Sequence, residues 1–175
     1  MKPVKPLWEY TRDLHHACEA HIVGGAMATG APARIWYAAW LKALLQIHEY
    51  IDPYCQSPCI QRLNEITQDL THMESELNIE IACVEAAKKY VSQLDESKKI
   101  DGAIYVLTGA HLMGGEIMRR RLVGYPTKHL EWNDRKQCIA VLQNYRTRDD
   151  IGEEARSCFT ALLEIMDEIL EKYPL

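Results

Sequence analysis

Apolar residues recur every three or four positions along nearly the whole chain, and the alternation typical of strands is almost absent. Glycine or proline interrupts this pattern at Gly24-Gly25, Pro53 and Pro126, where we place loops. Asn78 to Glu80 could also break a helix, and Asp101 could cap one. The pattern therefore predicts an all-α fold of about seven helices. These helices span about Leu7–Val23, Pro32–Ile51, Ile60–His72, Glu74–Leu94, Tyr105–Leu122, Asn133–Tyr145 and Ile151–Lys172.

Length and charge narrow the class of protein. The chain has 175 residues, which suits a single domain over residues 1–175 with a sizeable core. Its formal net charge of −5 argues against a general nucleic-acid binder, which is usually basic. No apolar run is long enough to cross a bilayer, and the first residues lack the apolar stretch of a signal peptide. We therefore expect a cytoplasmic protein without a membrane partner.

The segment YVLTGAHLMGGEIMRRRL, residues 105–122, combines a helical pattern with Gly109, Ala110, Gly114 and Gly115. A glycine inside a helix costs about 1 kcal/mol relative to alanine, so this concentration needs a reason. A planar ligand that lies against the backbone would be one reason. Tight packing against another helix would be a second, because small residues also permit that. The spacing alone leaves both interpretations open.

A histidine in the first helix is the strongest metal-ligand candidate. Helical spacing places His15 on one stripe with Trp8, Thr11, Cys18 and Ile22, and this largely apolar stripe predicts an inward ring. An inward histidine is either a hydrogen-bonded core residue or, beside an open pocket, an axial ligand of haem iron. Glu19 lies one turn further and could orient the ring, or it could be a solvated ion-pair partner.

Arginines and cysteines suggest further roles. Arg146 and Arg148 could bind carboxylates of a ligand, or they could pair with neighbouring aspartates. Cys55 and Cys59 lie in a loop, and their spacing is typical of neither a zinc site nor a thioredoxin. We expect them to be inert, although a disulfide or redox role stays open. A solvated helix end or a docking surface for an acidic partner would explain Arg119, Arg120 and Arg121.

Four motifs in the same order resemble the haem oxygenase family, and the resemblance covers nearly the whole chain. TRDLHHACE is similar to the family's proximal helix, and His15 falls on the position of the iron-ligating histidine. YVLTGAHLMGGEI resembles the distal helix, especially in its bacterial form. NYRTR resembles the stretch whose first arginine, here Arg146, helps to hold a haem propionate. EEARSCFTALLEIMDEI is similar to the last helix, where Phe159 matches an aromatic residue of the distal wall.

The resemblance implies a haem oxygenase, which cleaves haem to biliverdin, CO and iron with O2 and with electrons from an external reductase or ferredoxin. Haem would lie between the first helix and the glycine-rich helix. The redox partner would dock near Arg119, Arg120 and Arg121. The resemblance assigns catalytic positions to His111, Gly109, Ala110 and Gly114, with His111 holding a water that supplies protons. The haem-binding positions are His15, which also ligates iron, and Glu19, Arg12, Tyr105, Met113, Gly115, Arg146 and Phe159.

Several residues depart from the family pattern. His111 stands where one branch has an aspartate, and Met113 stands where a small residue is usual. Trp8 and Leu142 replace basic residues on the propionate side, for which Arg12 and either Lys2 or Lys5 could compensate. The changes at His111 and Met113 keep open a haem-binding protein without turnover, in which His111 reaches the iron. A helical di-metal oxidase or a thiaminase-like relative is disfavoured because the chain has no Glu-x-x-His motif.

Overall fold

The computed structural model describes residues 5–175, so Lys2 lies outside the described residues. Within that range the secondary structure is helical and contains no strand, which confirms the predicted all-α fold. The helices are α1 (Leu7–Tyr10), α2 (Arg12–Ala20), α3 (Ile22–Thr29), α4 (Arg34–Ile51), α5 (Leu63–Leu77), α6 (Glu85–Ser92), α7 (Ser97–Met113), α8 (Gly115–Arg121), α9 (Arg135–Arg146) and α10 (Gly152–Lys172). Short 3₁₀ helices cover Asp52–Tyr54, Pro58–Ile60 and Lys128–Leu130.

Helix α4 lies at the centre of the core. It buries apolar side chains on several faces, including Trp36, Leu41, Leu44 and Ile47. Helices α5, α6 and α10 pack around α4, and α10 also contacts α7 and α2. The buried apolar residues form one connected cluster. Each large aliphatic or aromatic side chain in it contributes roughly 1.5–3 kcal/mol, so the core fixes the helices that surround the site. The single domain over 1–175 stays a prediction.

The predicted first helix is in fact three helices. Thr11 separates α1 from α2, and its hydroxyl donates to the carbonyl of Leu7 at 2.9 Å. His21 has an extended backbone conformation, and its Nδ1 accepts from the Val23 amide at 3.1 Å. That side-chain cap starts α3 in a new direction. The prediction missed this break because a histidine is an uncommon N-cap.

Gly24-Gly25 does not end a helix, contrary to the prediction. Both glycines lie inside α3, which continues to Thr29 and ends at Gly30 with a φ of +83°. A Cβ atom built on Gly24 would lie 2.0 Å from the carbonyl oxygen of Cys18, so only glycine allows α3 to pack so closely on α2. Close packing, rather than helix termination, explains this pair.

The other boundaries differ where the backbone turns. Asn78 has a φ of +52° and ends α5, so the segment 74–94 contains the end of one helix and a second, separate helix. The glycine-rich helix begins earlier than predicted, at Ser97, and Asp101 accepts from Arg148 instead of capping it. The segment 105–122 is not one helix, because Gly114 separates α7 from α8. In the described part of the chain, none of the helices has the length and hydropathy that a membrane span requires.

The close approach of α3 to α2 predicts a large effect of one methyl group. Gly24→Ala should lower the free energy of unfolding by roughly 1–3 kcal/mol, because the new Cβ would overlap a backbone oxygen that cannot move freely. Urea denaturation measures this change. Gly25→Ala is the matched control, since its Cβ would lie 3.0 Å from the Glu19 carbonyl oxygen and should cost less. An equal or smaller cost for Gly24→Ala would contradict this account.

Candidate functional site

A groove of about 980 Å³ opens between α2 on one wall and α7 with α8 on another. Its volume is at the upper end of the range for sites that bind small molecules and cofactors. Most of its lining is apolar, with a few cations and imidazoles. The residues that line it are Trp8, Thr11, Arg12, His15, His16, Glu19, Ala28, Tyr105, Val106, Gly109, Ala110, Met113, Gly114, Ile117, Met118, Arg121, Leu142, Arg146 and Phe159.

His15 projects from α2 into this groove. Its side chain is 49% exposed, so it does not lie in the core as the stripe predicted. The reason is that α2 lies at the edge of the fold and buries none of its residues. Phe159 of α10 contacts the His15 ring edge-on, with ring centroids 5.9 Å apart. Glu19 Oε1 is 3.7 Å from His15 Nε2, which is too long for a hydrogen bond. A ring nitrogen is therefore available to a ligand.

The wall formed by α7 is bare at Gly109. A Cβ atom built there would find no atom within 4 Å, so this backbone faces open space. Ala110 is exposed beside it, and Met113, one turn further, is 45% exposed. A flat ligand could therefore lie against the main chain of α7 at Gly109. Packing against another helix, the other explanation for the glycines, does not apply at this position.

The remaining glycines of the segment have different surroundings. Gly114 lines the groove at the break between α7 and α8, and its amide donates to the Ala110 carbonyl at 3.1 Å. Gly115 does not line the groove, contrary to the prediction. It is buried, and a Cβ there would lie 3.3 Å from the Leu130 side chain. Gly115 thus serves packing, so the cluster of glycines has two causes rather than one.

Three arginines line the groove: Arg12, Arg121 and Arg146. Neither Arg12 nor Arg146 forms an ion pair within residues 5–175. Tyr105 lies beside Arg146: burial raises the pKa of Tyr105, and the charge of Arg146 and the Thr11 hydroxyl oppose that rise. Arg148, the other candidate, pairs instead with Asp101 and Asp150. Lys5 is exposed and does not line the groove.

The three consecutive arginines of α8 do not form one uniform patch. Arg119 and Arg120 both contact Glu116, at 3.4 and 3.1 Å. Arg121 donates to the carbonyl of Ala28 at 2.9 Å and lines the groove. One carboxylate therefore neutralises part of this charge, and the third arginine belongs to the groove. A docking role for these residues stays a prediction.

His111 lies on the side of α7 that faces away from the groove. It is 3% exposed and does not line the groove, because α7 buries that face against the core. Burial lowers the pKa of His111 well below its usual range, and the neighbouring His129, His48 and Arg62 lower it further. The ring is therefore neutral at physiological pH. This position contradicts the hypothesis that His111 reaches the iron directly.

Two buried histidines that the sequence did not indicate flank His111. The His129 ring meets it edge-on with centroids 5.5 Å apart, and the His48 ring lies 6.4 Å away. Asp69 accepts from His129 Nδ1 and Asp52 from His48 Nδ1, both at 2.7 Å. The i, i+4 spacing of His48 and Asp52 was a usable signal, whereas nothing local connects His129 with Asp69. Nε2 of His48 and Nδ1 of His111 are buried without a hydrogen-bond partner in the described structure.

A di-metal centre finds little support. Between residues 5 and 175, one group of His, Cys, Asp and Glu side chains has ligand atoms close enough for a shared metal: His15, His16 and Glu19. All three are exposed and lie on the same helix, whereas helical di-metal sites collect inward carboxylates from several helices.

Cys55 and Cys59 are free thiols, and burial raises the pKa of Cys55 to about 12. A high pKa disfavours the reactive thiolate at Cys55.

Comparison with solved structures places this fold. Haem oxygenase from Leptospira interrogans matches with a TM-score of 0.75 and 19% identity, over 93% of this chain and 97% of that one. Haem oxygenase-1 from the cyanobacterium Synechocystis, solved with haem, matches with a TM-score of 0.78 and 17% identity, over 95% and 90%. Haem oxygenase-2 from Synechocystis, solved with haem and NO, matches with a TM-score of 0.73 and 19% identity, over 95% and 84%.

No protein-family model matches the sequence, and no curated protein matches it. Shared structure over more than nine-tenths of this chain nevertheless shows that it has the all-α fold of the haem oxygenases. The predicted fold is therefore confirmed. Identities of 17–19% show the fold and leave the activity to be argued from the site.

The neutral His111 predicts a stability that depends on pH. Because its folded-state pKa lies below the unfolded value of about 6.5, the unfolded state binds the proton and stability falls as pH decreases below about 6.5. This residue alone should then lower the stability progressively as the pH falls further, until the folded state also binds the proton. His111→Leu should make the loss between pH 7 and 5 correspondingly shallower, as measured by urea denaturation at each pH.

His72→Leu is the control, because His72 is exposed on α5 and its side chain is 61% accessible. This variant should keep the pH dependence of the unchanged protein. If His111→Leu also kept it, the ring would not be held neutral by the core.

Proposed function

We propose that this protein is a haem oxygenase and that haem is its substrate. The observation that carries the proposal is the groove itself, in which the free imidazole of His15 and the bare backbone of Gly109 face the same space. An imidazole is a usual axial ligand of haem iron, and a residue without a side chain lets a flat macrocycle lie against the helix. The fold shared with solved haem oxygenases supports the same reading.

The residues present fit haem on each side of the groove. His15 would hold the iron. Phe159 would fix the orientation of the His15 ring through their edge-on contact. The Glu19 carboxylate lies too far from the ring to form a hydrogen bond with it, so it would leave a ring nitrogen free for the iron. Arg12 and Arg146, which have no ion pair within residues 5–175, would bind the propionates. Gly109, Ala110 and Gly114 would admit the macrocycle to the wall formed by α7.

The reaction would consume haem, O2 and external electrons, and it would release biliverdin, CO and iron. Bound haem would supply the iron at which oxygen is reduced. The chain would orient the haem, exclude bulk water from it and narrow the groove around it. Met113 and Ile117 project into the groove and would limit the space on the oxygen side. A reductase or ferredoxin would supply the electrons, and a docking site near Arg119, Arg120 and Arg121 is part of the proposal, as is a cytoplasmic location.

Haem binding without turnover is the second candidate, and Met113 is the observation that favours it. This side chain is 45% exposed in the groove, where it would compete with oxygen for space beside a bound haem. His111 no longer supports this candidate, because its ring faces the core. The two functions differ in one measurable outcome, which is whether bound haem is degraded on reduction in air.

Haemin titration of the purified protein tests the proposal. Addition of haemin should give a saturable Soret band, and ascorbate or ferredoxin with its reductase in air should convert it to a bilin band. His15→Ala should abolish or shift the Soret band, because the axial nitrogen is lost. A stable Soret band in the unchanged protein would favour the non-catalytic candidate.

His16→Ala is the matched control, because His16 is also exposed, is adjacent in α2 and lines the same groove. It should keep the Soret band and its decay. If His15→Ala and the unchanged protein had the same spectrum, His15 would not be the iron ligand. If no Soret band formed with the unchanged protein, both haem functions would be excluded.

Gly109 provides a second test that separates binding from folding. Gly109→Leu should preserve or raise the free energy of unfolding, because leucine favours a helix by several tenths of a kcal/mol over glycine and the site is open. The same side chain should fill the groove and weaken haemin affinity by at least tenfold. Denaturation and haemin titration measure the two effects. Unchanged affinity in a folded variant would show that haem does not lie against Gly109.

A further inference from the structure

Four side chains from the segment 129–135 converge on the break between α7 and α8. We call His129, Leu130, Trp132 and Arg135 the clasp. Their targets are His111 and Leu112 in the last turn of α7 and Gly115, the first residue of α8. The clasp does not line the groove. Its contacts nevertheless lie where the two helices of the groove wall meet.

Two members of the clasp bind backbone carbonyls that the helix leaves without a partner. The last turn of a helix has carbonyl groups with no intrahelical donor. Trp132 Nε1 donates to the carbonyl of His111 at 3.2 Å, and Arg135 Nη2 donates to that of Leu112 at 3.3 Å. These bonds cap α7 from the side. They stabilise the end of α7 at Gly114. Without them, a single straight helix through this point would be a competing conformation.

The other two members fix the same segment by packing. The His129 ring contacts the His111 ring edge-on, and both are buried. Leu130 lies under Gly115, where a Cβ would be only 3.3 Å from the leucine side chain. The clasp therefore holds both the side chain of His111 and the backbone at Gly115, and it does so from the same side.

Residues Arg62 and Asp69 hold the clasp in place from α5 and its N-terminal flank. Asp69 accepts from the amides of Lys128 and His129, at 3.1 and 2.9 Å, and from His129 Nδ1. The Arg62 guanidinium lies 3.9 Å from the centre of the Trp132 ring, and its Nη1 donates to the Glu131 carbonyl at 2.7 Å. Both anchors are buried. A rigid connection thus runs from α5 to the groove wall.

We propose that the clasp positions the groove wall, with Trp132 as the principal positioning residue. Helix α8 carries Ile117, Met118 and Arg121 into the groove, while α7 carries Gly109 and Met113. Because the helices join at Gly114, the angle between them sets how far the α8 side chains reach across the groove. The clasp holds that angle. For the identity of the ligand, this inference rests on the proposed function.

Trp132→Phe tests the proposal, because phenylalanine keeps an aromatic ring beside Arg62 and removes the N–H donor together with the five-membered ring of the indole. Trp36→Phe is a matched control: Trp36 Nε1 donates to the carbonyl of Tyr173 at 2.7 Å, and Trp36 does not line the groove. In the protein without haem, Trp132→Phe should speed amide exchange in α8 about fivefold, as expected for one lost hydrogen bond. Trp36→Phe should leave exchange in α8 unchanged.

The haem complex gives a second readout. Trp132→Phe should keep the Soret band that reports His15 ligation. It should shift the C–O stretching band of the ferrous CO complex and alter the proportions of biliverdin isomers. Trp36→Phe should change neither. A merely structural role would lower the stability of both variants without these effects.

Two results would overturn the proposal: exchange in α8 that is the same in both variants, or a CO band and isomer pattern unchanged by Trp132→Phe. Failure of the proposed function is distinguishable from these results. It would appear as absence of haemin binding by the unchanged protein, and amide exchange in α8 would then decide the role of the clasp by itself.

Discussion

The structure depends on one constraint: α7 must present large apolar side chains on one face and almost no side chain on the other. One face supplies core side chains such as Ile104, Leu107 and Leu112, all almost completely buried. The other face must stay bare at Gly109, although glycine lowers the stability of a helix by about 1 kcal/mol. The helix persists because the buried face contributes more than the bare face loses. An open groove beside a firm core follows directly from this division.

The histidines on the buried face show a related compromise. A buried imidazole costs free energy unless its nitrogens are hydrogen-bonded, and the carboxylates of Asp52 and Asp69 meet this need at Nδ1 of His48 and of His129. His111 has no such partner at Nδ1, and burial lowers its pKa, so the ring is neutral. The polar cluster therefore fixes the orientation of three rings without placing a net charge on His111 behind the groove. Leucine at the same position would fill space but would lose the edge-on contact with the His129 ring.

Local signals predicted the helices and one wall of the groove well. Periodicity is local, so it predicted most helices, and the motif around His15 identified a residue that does line the groove. Asn78 was a visible break because asparagine tolerates a positive φ. His21 was not visible, since its cap depends on a ring rotamer. The orientation of His111 also escaped prediction, because it depends on which face of α7 meets the core.

The roles of the glycines show most clearly why sequence alone could not complete the site. Gly24, Gly109 and Gly115 look equivalent in a helical pattern, yet the first lies against a backbone oxygen, the second faces open space and the third covers a leucine. Composition records only the missing side chain, whereas function depends on what occupies the space that it leaves. At Gly109 no protein atom occupies the space that the missing side chain leaves. A ligand site is therefore supported by this one position and not by the number of glycines.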